Sequence, residues 1–388
     1  MQKFTMRYLA PIIVLILLSF SACAQQNNSS VEAESPAQIN YTTEVVVTDL
    51  NIPWGMTFLP DGSMLITEKA GSLIHFKDGV KTLVEGLPEI YVRGQGGLLD
   101  VKAHPNFAEN GWIYISYASE EGEGDGGNTT IMRAKLVDMK LAESEVLYKA
   151  GPNSKKGQHF GSRLAFDNDG YFYFSIGDRG SRDENPQDIT KDCGKIYRIH
   201  DDGRIPDDNP FVNTPNAKKA IYSYGHRNPQ GMIKHPETGE IWTHEHGPQG
   251  GDELNSIKAG KNYGWPVISY GINYNGTPFT DITAKEGMEQ PLFYWVPSIA
   301  PSGLEIVSSD LYPDWKGNVL AGSLKFQYLE RLILKDNVVV KREKMIENRG
   351  RVRSVRQGPD GFIYVGIENL GIIKIVPKKT NIPININN

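Results

Sequence analysis

The stretch Phe166–Asp178, FDNDGYFYFSIGD, contains the signal on which the fold is read. Asp167-Asn168-Asp169-Gly170 is a turn cluster: short polar side chains that bond their own backbone, closed by a glycine free to take positive φ. Tyr171 to Ile176 then runs as an aromatic and aliphatic strand. The same succession of a turn with Asp, Asn or Gly followed by an apolar strand occurs at five other places. These are LPDGSMLITE (Leu59–Glu68), HPNFAENGWIYISY (His104–Tyr117), HPETGEIWTHEH (His235–His246), YPDWKGNVLAGS (Tyr312–Ser323) and GPDGFIYVGIEN (Gly358–Asn369). Such turns between alternating runs mark hairpins. Several are followed by a second strand, as in GSLIHFKDG and GIIKIVP, and no amphipathic helix intervenes. Six strand units without crossover helices predict an all-β, six-bladed β-propeller. A β-sandwich array would not need the same turn six times.

Composition agrees with that reading and narrows the partners. The chain of 388 residues is 39% hydrophobic, enough for a large core, and its 40 glycines and 23 prolines suit a turn-rich β protein. A net charge of −5 argues against nucleic acid as a ligand. Lys3 and Arg7 precede the apolar run Tyr8–Phe20, too short for a comfortable membrane span, which ends in Ser-Ala-Cys. Residues 1–22 therefore read as an export signal. The small residues before Cys23 resemble a bacterial lipoprotein cleavage site, giving a periplasmic, outer-membrane-anchored lipoprotein lipidated on Cys23; secretion with cleavage near Ala24 is the alternative. Residues 23–42 read as a polar tether, 43–377 as the propeller and 378–388 as a polar tail. Cys193 is then left without a disulfide partner, and its setting KDCGKIYRI suits a small buried residue at a strand start.

Four segments remain once the repeats are subtracted: Arg93–Pro105 with Gln95, Gly157–Phe166 with His159, Tyr224–Gly231 with Arg227 and Asn228, and Glu245–Asn255 running on to Gly260–Pro266. An arginine beside an amide in the glycine- and proline-bounded loop YGHRNPQG suggests recognition of something flat and anionic. His159 lies between Gly157 and Gly161, where a ligand could approach closely, so it is a candidate general base. GPQGGDELN has the look of a calcium loop: glycines turn the backbone to present carbonyls, and Asp252 and Glu253 add hard oxygens. His244 and His246, on one strand face, invite a zinc reading that ranks below calcium for want of a third ligand. Lys325 and the alternate pair Arg351 and Arg353 add positive charge. Two like charges on one strand face need water or an anion between them unless the strand is simply a solvated edge.

Taken together, GQGGLLD, HFGSRLAF, GHRNPQG, EHGPQGGDELN, NYGWP, APSGL and GRVRSV resemble the soluble quinoprotein sugar dehydrogenases, the glucose/sorbosone dehydrogenase-like family, with the aldose sugar dehydrogenase branch the most similar. The resemblance spans about residues 43–377. It implies a six-bladed propeller that holds pyrroloquinoline quinone (PQQ), a flat tricarboxylate, together with Ca²⁺, and passes electrons to an external acceptor. By the same resemblance, His159 is the base for the anomeric hydroxyl, and Arg227 and Asn228 meet the quinone end. Gln95 and Tyr274 are further PQQ contacts, while Lys325, Arg351 and Arg353 meet its carboxylates. The Gly247 and Pro248 carbonyls would bind Ca²⁺, with Glu253 and the Tyr263 carbonyl at a second ion. Gln158 departs from the pattern, since the glucose-oxidising branch has an acid there, and this weakens the case for glucose itself. A calcium-dependent propeller lactonase or hydrolase, and a non-catalytic binding propeller, are the other readings; both would lack a reason to keep four cations suited to a tricarboxylate.

Overall fold

The computed structural model describes Met1, residues 33–34 and residues 40–378. The export signal, Cys23 and the tail from 379 onward lie outside the described residues. Two pieces of the stretch read as a tether are strand: Ala33–Glu34 pairs in parallel with Arg342–Glu343, and Tyr41–Val47 begins inside it.

The strands form six sheets, each an antiparallel meander of four apart from the short parallel addition to the fifth. The first blade comprises Pro53–Phe58, Met64–Glu68, Ser72–Lys77 and Val80–Leu83, counted from the axis outward. The innermost strands of the second to sixth blades are Leu98–Ala103, Leu164–Phe166, Pro229–Lys234, Pro301–Ile306 and Val352–Gln357. Each inner strand contacts the next, and the sixth contacts the first, so the ring closes. The outer strand of the sixth blade is Tyr41–Val47, antiparallel to Gly371–Pro377. Residues 41–47 and 371–377, far apart in the chain, thus share one sheet, which closes the ring.

Burial falls from the axis outward. Second strands such as FYFSI (Phe172–Ile176) and IYVGI (Ile363–Ile367) are buried at every position, because both faces of the blade are covered there. The first blade's outermost strand, Val80–Leu83, is exposed throughout. Separate apolar clusters fill the six seams between blades. Between the second and third blades Tyr114 packs on Phe172, and within the third Phe174 stacks on its cross-strand partner Tyr197 with centroids 4.8 Å apart. Each such side chain contributes about 1.5–3 kcal/mol by leaving water, which is why the strands are richer in aromatics than their length requires.

All six turn repeats fall on the connection from an inner strand to the second strand, at one end of the ring. The loops His159–Arg163, His226–Asn228, Ile299–Ala300 and Arg351, which enter the inner strands, lie at the other end. One residue ties the axis together below them. Arg163, from the third blade, is fully buried and donates to the Gln230 carbonyl at 2.7 Å, the Trp54 carbonyl at 3.1 Å and the Arg353 carbonyl at 2.8 Å. It also donates to Asp100 Oδ1 and to Ser302 Oγ, both at 3.4 Å. Its guanidinium therefore reaches every other blade. It also lies over the Trp54 ring, 4.0 Å from the centroid. Burial lowers its pKa to about 9, with Asp100 opposing the shift, so it is charged at neutral pH.

Candidate active site

His159 sits in the loop before the third inner strand at φ 58°, a left-handed conformation that costs a non-glycine residue of order 1 kcal/mol. Its surroundings enforce it. The His159 N–H donates to Gln95 Oε1 at 2.8 Å, and its carbonyl lies so close to Gly177 that any side chain there would collide with it. Arg179, buried and lying 3.5 Å over the Phe160 ring, donates to the carbonyls of Gln158, Lys156 and Gly127 and so fixes the whole loop.

The imidazole has a carboxylate partner. His159 Nδ1 lies 2.6 Å from Asp178 Oδ1. Asp178 also accepts the Gly180 N–H at 2.7 Å and the Trp265 indole N–H at 2.9 Å. Burial tends to raise the Asp178 pKa, but the hydrogen bond from His159 and the nearby Arg227 outweigh it and hold the carboxyl below its usual range. Burial lowers the His159 pKa, against the opposing pull of Asp178. An ionised Asp178 assigns the Nδ1 proton to the hydrogen bond and leaves Nε2 as the basic atom.

Arg227 and Asn228 occupy the equivalent entry to the fourth blade. Glu245, 3% exposed, accepts the Arg227 N–H at 2.5 Å and pairs with His226 Nδ1 at 2.8 Å. The Arg227 guanidinium donates to the His246 carbonyl at 3.2 Å, reaches the Tyr274 hydroxyl at 3.5 Å and lies 5.3 Å from the Trp265 ring centroid. Among the described residues its Nε finds no partner, nor does Nδ2 of fully buried Asn228, whose Oδ1 accepts the Gly161 N–H at 3.1 Å. Leaving a buried donor unpaired costs about 1–3 kcal/mol each. His159, Asp178, Arg227, Pro248, Trp265 and Tyr274 share one cavity of about 280 Å³ with Gln158 and Arg182. Tyr274 stands exposed at its rim.

The glycine loop adjoins this cavity. Gly247 and Pro248 are buried, and neither carbonyl accepts a hydrogen bond from a described residue. Asp252 is not available as a cation ligand in the way its sequence suggests. Its oxygens accept the N–H groups of Gly247, Ile299 and Ala300 and the Ser298 hydroxyl, so it anchors the loop to the fifth blade. Glu253 lies opposite Glu245 in register, and burial and then that neighbour push its pKa well up. The Tyr263 ring stacks on His226 at 4.6 Å. The zinc reading fails: His244 Nε2 bonds the Gly303 carbonyl at 2.9 Å and His246 Nε2 the Pro301 carbonyl at 2.8 Å. Among the described residues no three His, Cys, Asp or Glu side chains gather as a metal centre, so a cation here would rely on carbonyl oxygens.

Lys325, Arg351 and Arg353 lie at the same end, on the fifth and sixth blades, outside that cavity. Arg351 Nε and Arg353 Nε each lie 3.0 Å from a different oxygen of Glu368. The two arginines do share a face, and the anion between them is part of the chain. Arg351 also donates to the Leu324 carbonyl at 3.3 Å, beside exposed Lys325. Lys69 Nζ bonds the Gly94 carbonyl at 2.9 Å next to Gln95 and feels the charges of Arg353 and Glu368. Cys193 is buried, and burial raises its thiol pKa to about 12, as expected of an inert core residue.

Sequence reasoning passed over Asp178, Glu245, Trp265, Lys69 and Glu368. A positional rule would have found most of them. Lys69, Asp178, Gly247, Lys325 and Glu368 each follow the end of a second strand by one or two residues, where the chain returns to the mouth.

The chain is similar in sequence and in fold to known proteins. A sequence profile described as glucose/sorbosone dehydrogenase matches residues 50–374. The aldose sugar dehydrogenase YliI of Escherichia coli is 39% identical over 360 residues, covering 90% of this chain and 96% of its own. Quinoprotein glucose dehydrogenase B of Acinetobacter calcoaceticus is 28% identical, covering 84% and 73%. The solved PQQ-bound form of the aldose sugar dehydrogenase from Streptomyces coelicolor superposes with a TM-score of 0.71 at 26% identity, covering 88% of this chain and 99% of that one. Profile match, full-length similarity and a common six-bladed ring lead to one conclusion: the chain belongs to the glucose/sorbosone dehydrogenase family.

Proposed function

We propose that the protein is an exported, PQQ- and Ca²⁺-dependent aldose sugar dehydrogenase that oxidises the anomeric carbon to a lactone. The observation that carries this reading is a His159–Asp178 dyad sharing one cavity with Arg227, whose buried Nε is unpartnered among the described residues, as is Nδ2 of Asn228, its buried neighbour in the chain. Donors left unpaired at that depth suit a ligand presenting oxygen acceptors. Bound there, PQQ would supply a two-electron acceptor for hydride.

The chain's own residues do the rest. His159 Nε2 takes the proton of the anomeric hydroxyl as the C1 hydride leaves, and Asp178 steadies the imidazolium that forms. Arg227 would offer its guanidinium to negative charge on a quinone oxygen, Asn228 and Gln95 would help hold the ring system, and Tyr274, exposed at the rim, would stand beside it. Lys325, Arg351 and Arg353 offer positive charge to the carboxylates. The Gly247 and Pro248 carbonyls, buried without donors, fit a hard cation. By the family resemblance, Glu253 and the Tyr263 carbonyl would hold a second ion, and a cation there would offset the proximity of Glu253 to Glu245.

The test is reconstitution. Purified apoprotein should reduce a dye with aldoses only when both PQQ and Ca²⁺ are added. Full activity in chelator without PQQ, or calcium-dependent lactone hydrolysis in place of oxidation, overturns the reading.

A further inference from the structure

The axis carries a second layer of charge, toward the turn end, that the site at the mouth does not use. Lys102, Glu305 and Arg356 are each the last residue but one of their inner strands, Leu98–Ala103, Pro301–Ile306 and Val352–Gln357, and Lys234 is the last of Pro229–Lys234. Equal depth on four blades puts them at one level. Lys102 feels the charges of the other three and of Asp100. Groups from the fourth, fifth and sixth blades act together on a side chain of the second only across the axis.

The carboxylates of this layer are already engaged. Glu305 accepts the Ile306 N–H at 3.1 Å and the Gln357 N–H at 2.9 Å. Asp100 accepts the Leu164 N–H at 3.2 Å and Arg163 Nη1–H at 3.4 Å. Two of the cations are not. Arg356, 5% exposed, directs Nη1 at the carbonyls of Leu304 and Val355, both at 3.1 Å. Its Nε and Nη2 share the other edge of the guanidinium. Nη2 stands 3.6 Å from Asp100 Oδ2, too far for a hydrogen bond, and the buried Nε has no partner among the described residues. Lys102 makes no hydrogen bond or ion pair among the described residues, whereas Lys234 donates to Asn168 Oδ1 at 2.7 Å. Burial, and then the charge of Arg356, push the Lys102 pKa down to about 8, so it is still mostly protonated at neutral pH.

We propose that the turn end of the axis binds one small monovalent anion of the chloride class, held between Lys102 Nζ and the free edge of Arg356, and that this anion stabilises the closed ring. Three cations, Arg163, Arg356 and Lys102, face two carboxylates, Asp100 and Glu305, so one negative charge balances the layer. Like charges kept together away from bulk water repel unless an anion stands between them, and a buried donor left unpaired costs stability. A halide accepts from several donors at once without a preferred direction, which suits an ammonium and a guanidinium edge brought in from different blades. A phosphate would carry more charge than the layer lacks. The anion would join the second blade to the sixth, with the Arg163 and Asp100 pair between it and the mouth.

The experiment is thermal melting of the full chain while sodium chloride rises about a hundredfold, with sodium methanesulfonate, a bulkier monovalent anion, holding the ionic strength constant. An anion that binds only the folded state should raise Tm by about 2 °C for each tenfold increase in chloride beyond half-saturation. Lys102→Met should flatten that slope, and Lys102→Arg, which keeps the charge, should retain most of it. Crystals of the wild type soaked in sodium bromide supply a readout that needs no variant: an anomalous peak is expected between Lys102 and Arg356. A Tm that ignores chloride at constant ionic strength, the same slope in folded Lys102→Met, or water alone at the axis of the bromide-soaked crystals would each overturn the inference. Neither readout uses PQQ or turnover, so failure of the function proposed above leaves this test standing.

Discussion

Replacing Asp178 by asparagine keeps shape and removes one charge. Asp178 accepts three donors: His159 Nδ1–H and the Gly180 N–H on Oδ1, and the Trp265 indole N–H on Oδ2. An asparagine must place its own NH₂ at one of those positions, so one donor meets another whichever way it turns. With the NH₂ toward Trp265, His159 keeps its tautomer but loses the anion that stabilises its protonated form. A hydrogen bond to a charged group is worth about 1.5–3 kcal/mol, so the upper end corresponds to about 10²-fold in rate. With the NH₂ toward His159, Nδ1 becomes the acceptor, the proton moves to Nε2 and the base is lost; in a serine-protease triad this error costs about 10⁴. The expected loss in kcat is therefore about 10²–10⁴-fold at saturating PQQ and sugar. The pH profile adds a second readout. The working base is neutral, so activity rises with pH through the His159 pKa, which burial already places below its ordinary value while Asp178 pulls it up. Removing that pull should move the acid limb to still lower pH. Steady-state dye reduction from pH 4 to 9, with thermal melting to confirm folding, measures both. A folded variant with kcat within threefold of wild type and an unmoved acid limb would refute the assignment.

Arg163→Met should cost about 3–5 kcal/mol in guanidinium unfolding, because it takes the donor from three buried carbonyls and leaves Asp100 with Arg356, at 3.6 Å, as its remaining cationic partner among the described residues; adding Asp100→Asn should recover part of that loss. Burial lowers the His244 pKa to about 4 from 6.5. On acidification the unfolded chain gains a proton that the folded chain refuses, so this residue should remove about 2 kcal/mol of stability between pH 7 and pH 5. Urea titrations at the two pH values should show that slope, and it should flatten in His244→Gln. Cys23→Ser should shift the protein from the membrane fraction to the soluble one with dye-linked activity intact; an unmodified N-terminus in wild type by mass spectrometry would refute lipidation.

The blade repeats were legible because they depend on local rules. Asp-Gly and Asn-Gly turns and apolar strands carry their own signal wherever they stand, and six of them sufficed to number the blades. His159, Arg227 and Asn228 were legible for a similar reason: unusual residue types between glycines stand out in a single line of text, and all three prove to lie at one mouth. What the line could not carry was pairing across blades. Asp178 reads as the end of a repeat, Asp252 as a calcium acid and His244 and His246 as a lesser zinc possibility, while nothing in the line marks Arg163. Each role was decided by partners between 19 and 190 residues away in the chain. Arg351 and Arg353 show the division most plainly. Their alternation made a shared face predictable from the two-residue period of a strand, but whether an external ligand or the protein's own carboxylate stood between them depended on where the following hairpin returned Glu368. Sequence by itself determined the repeating unit and the chemical types at the mouth. Only the closed ring decided which charges were already satisfied, because burial and partnership are properties of the space between blades.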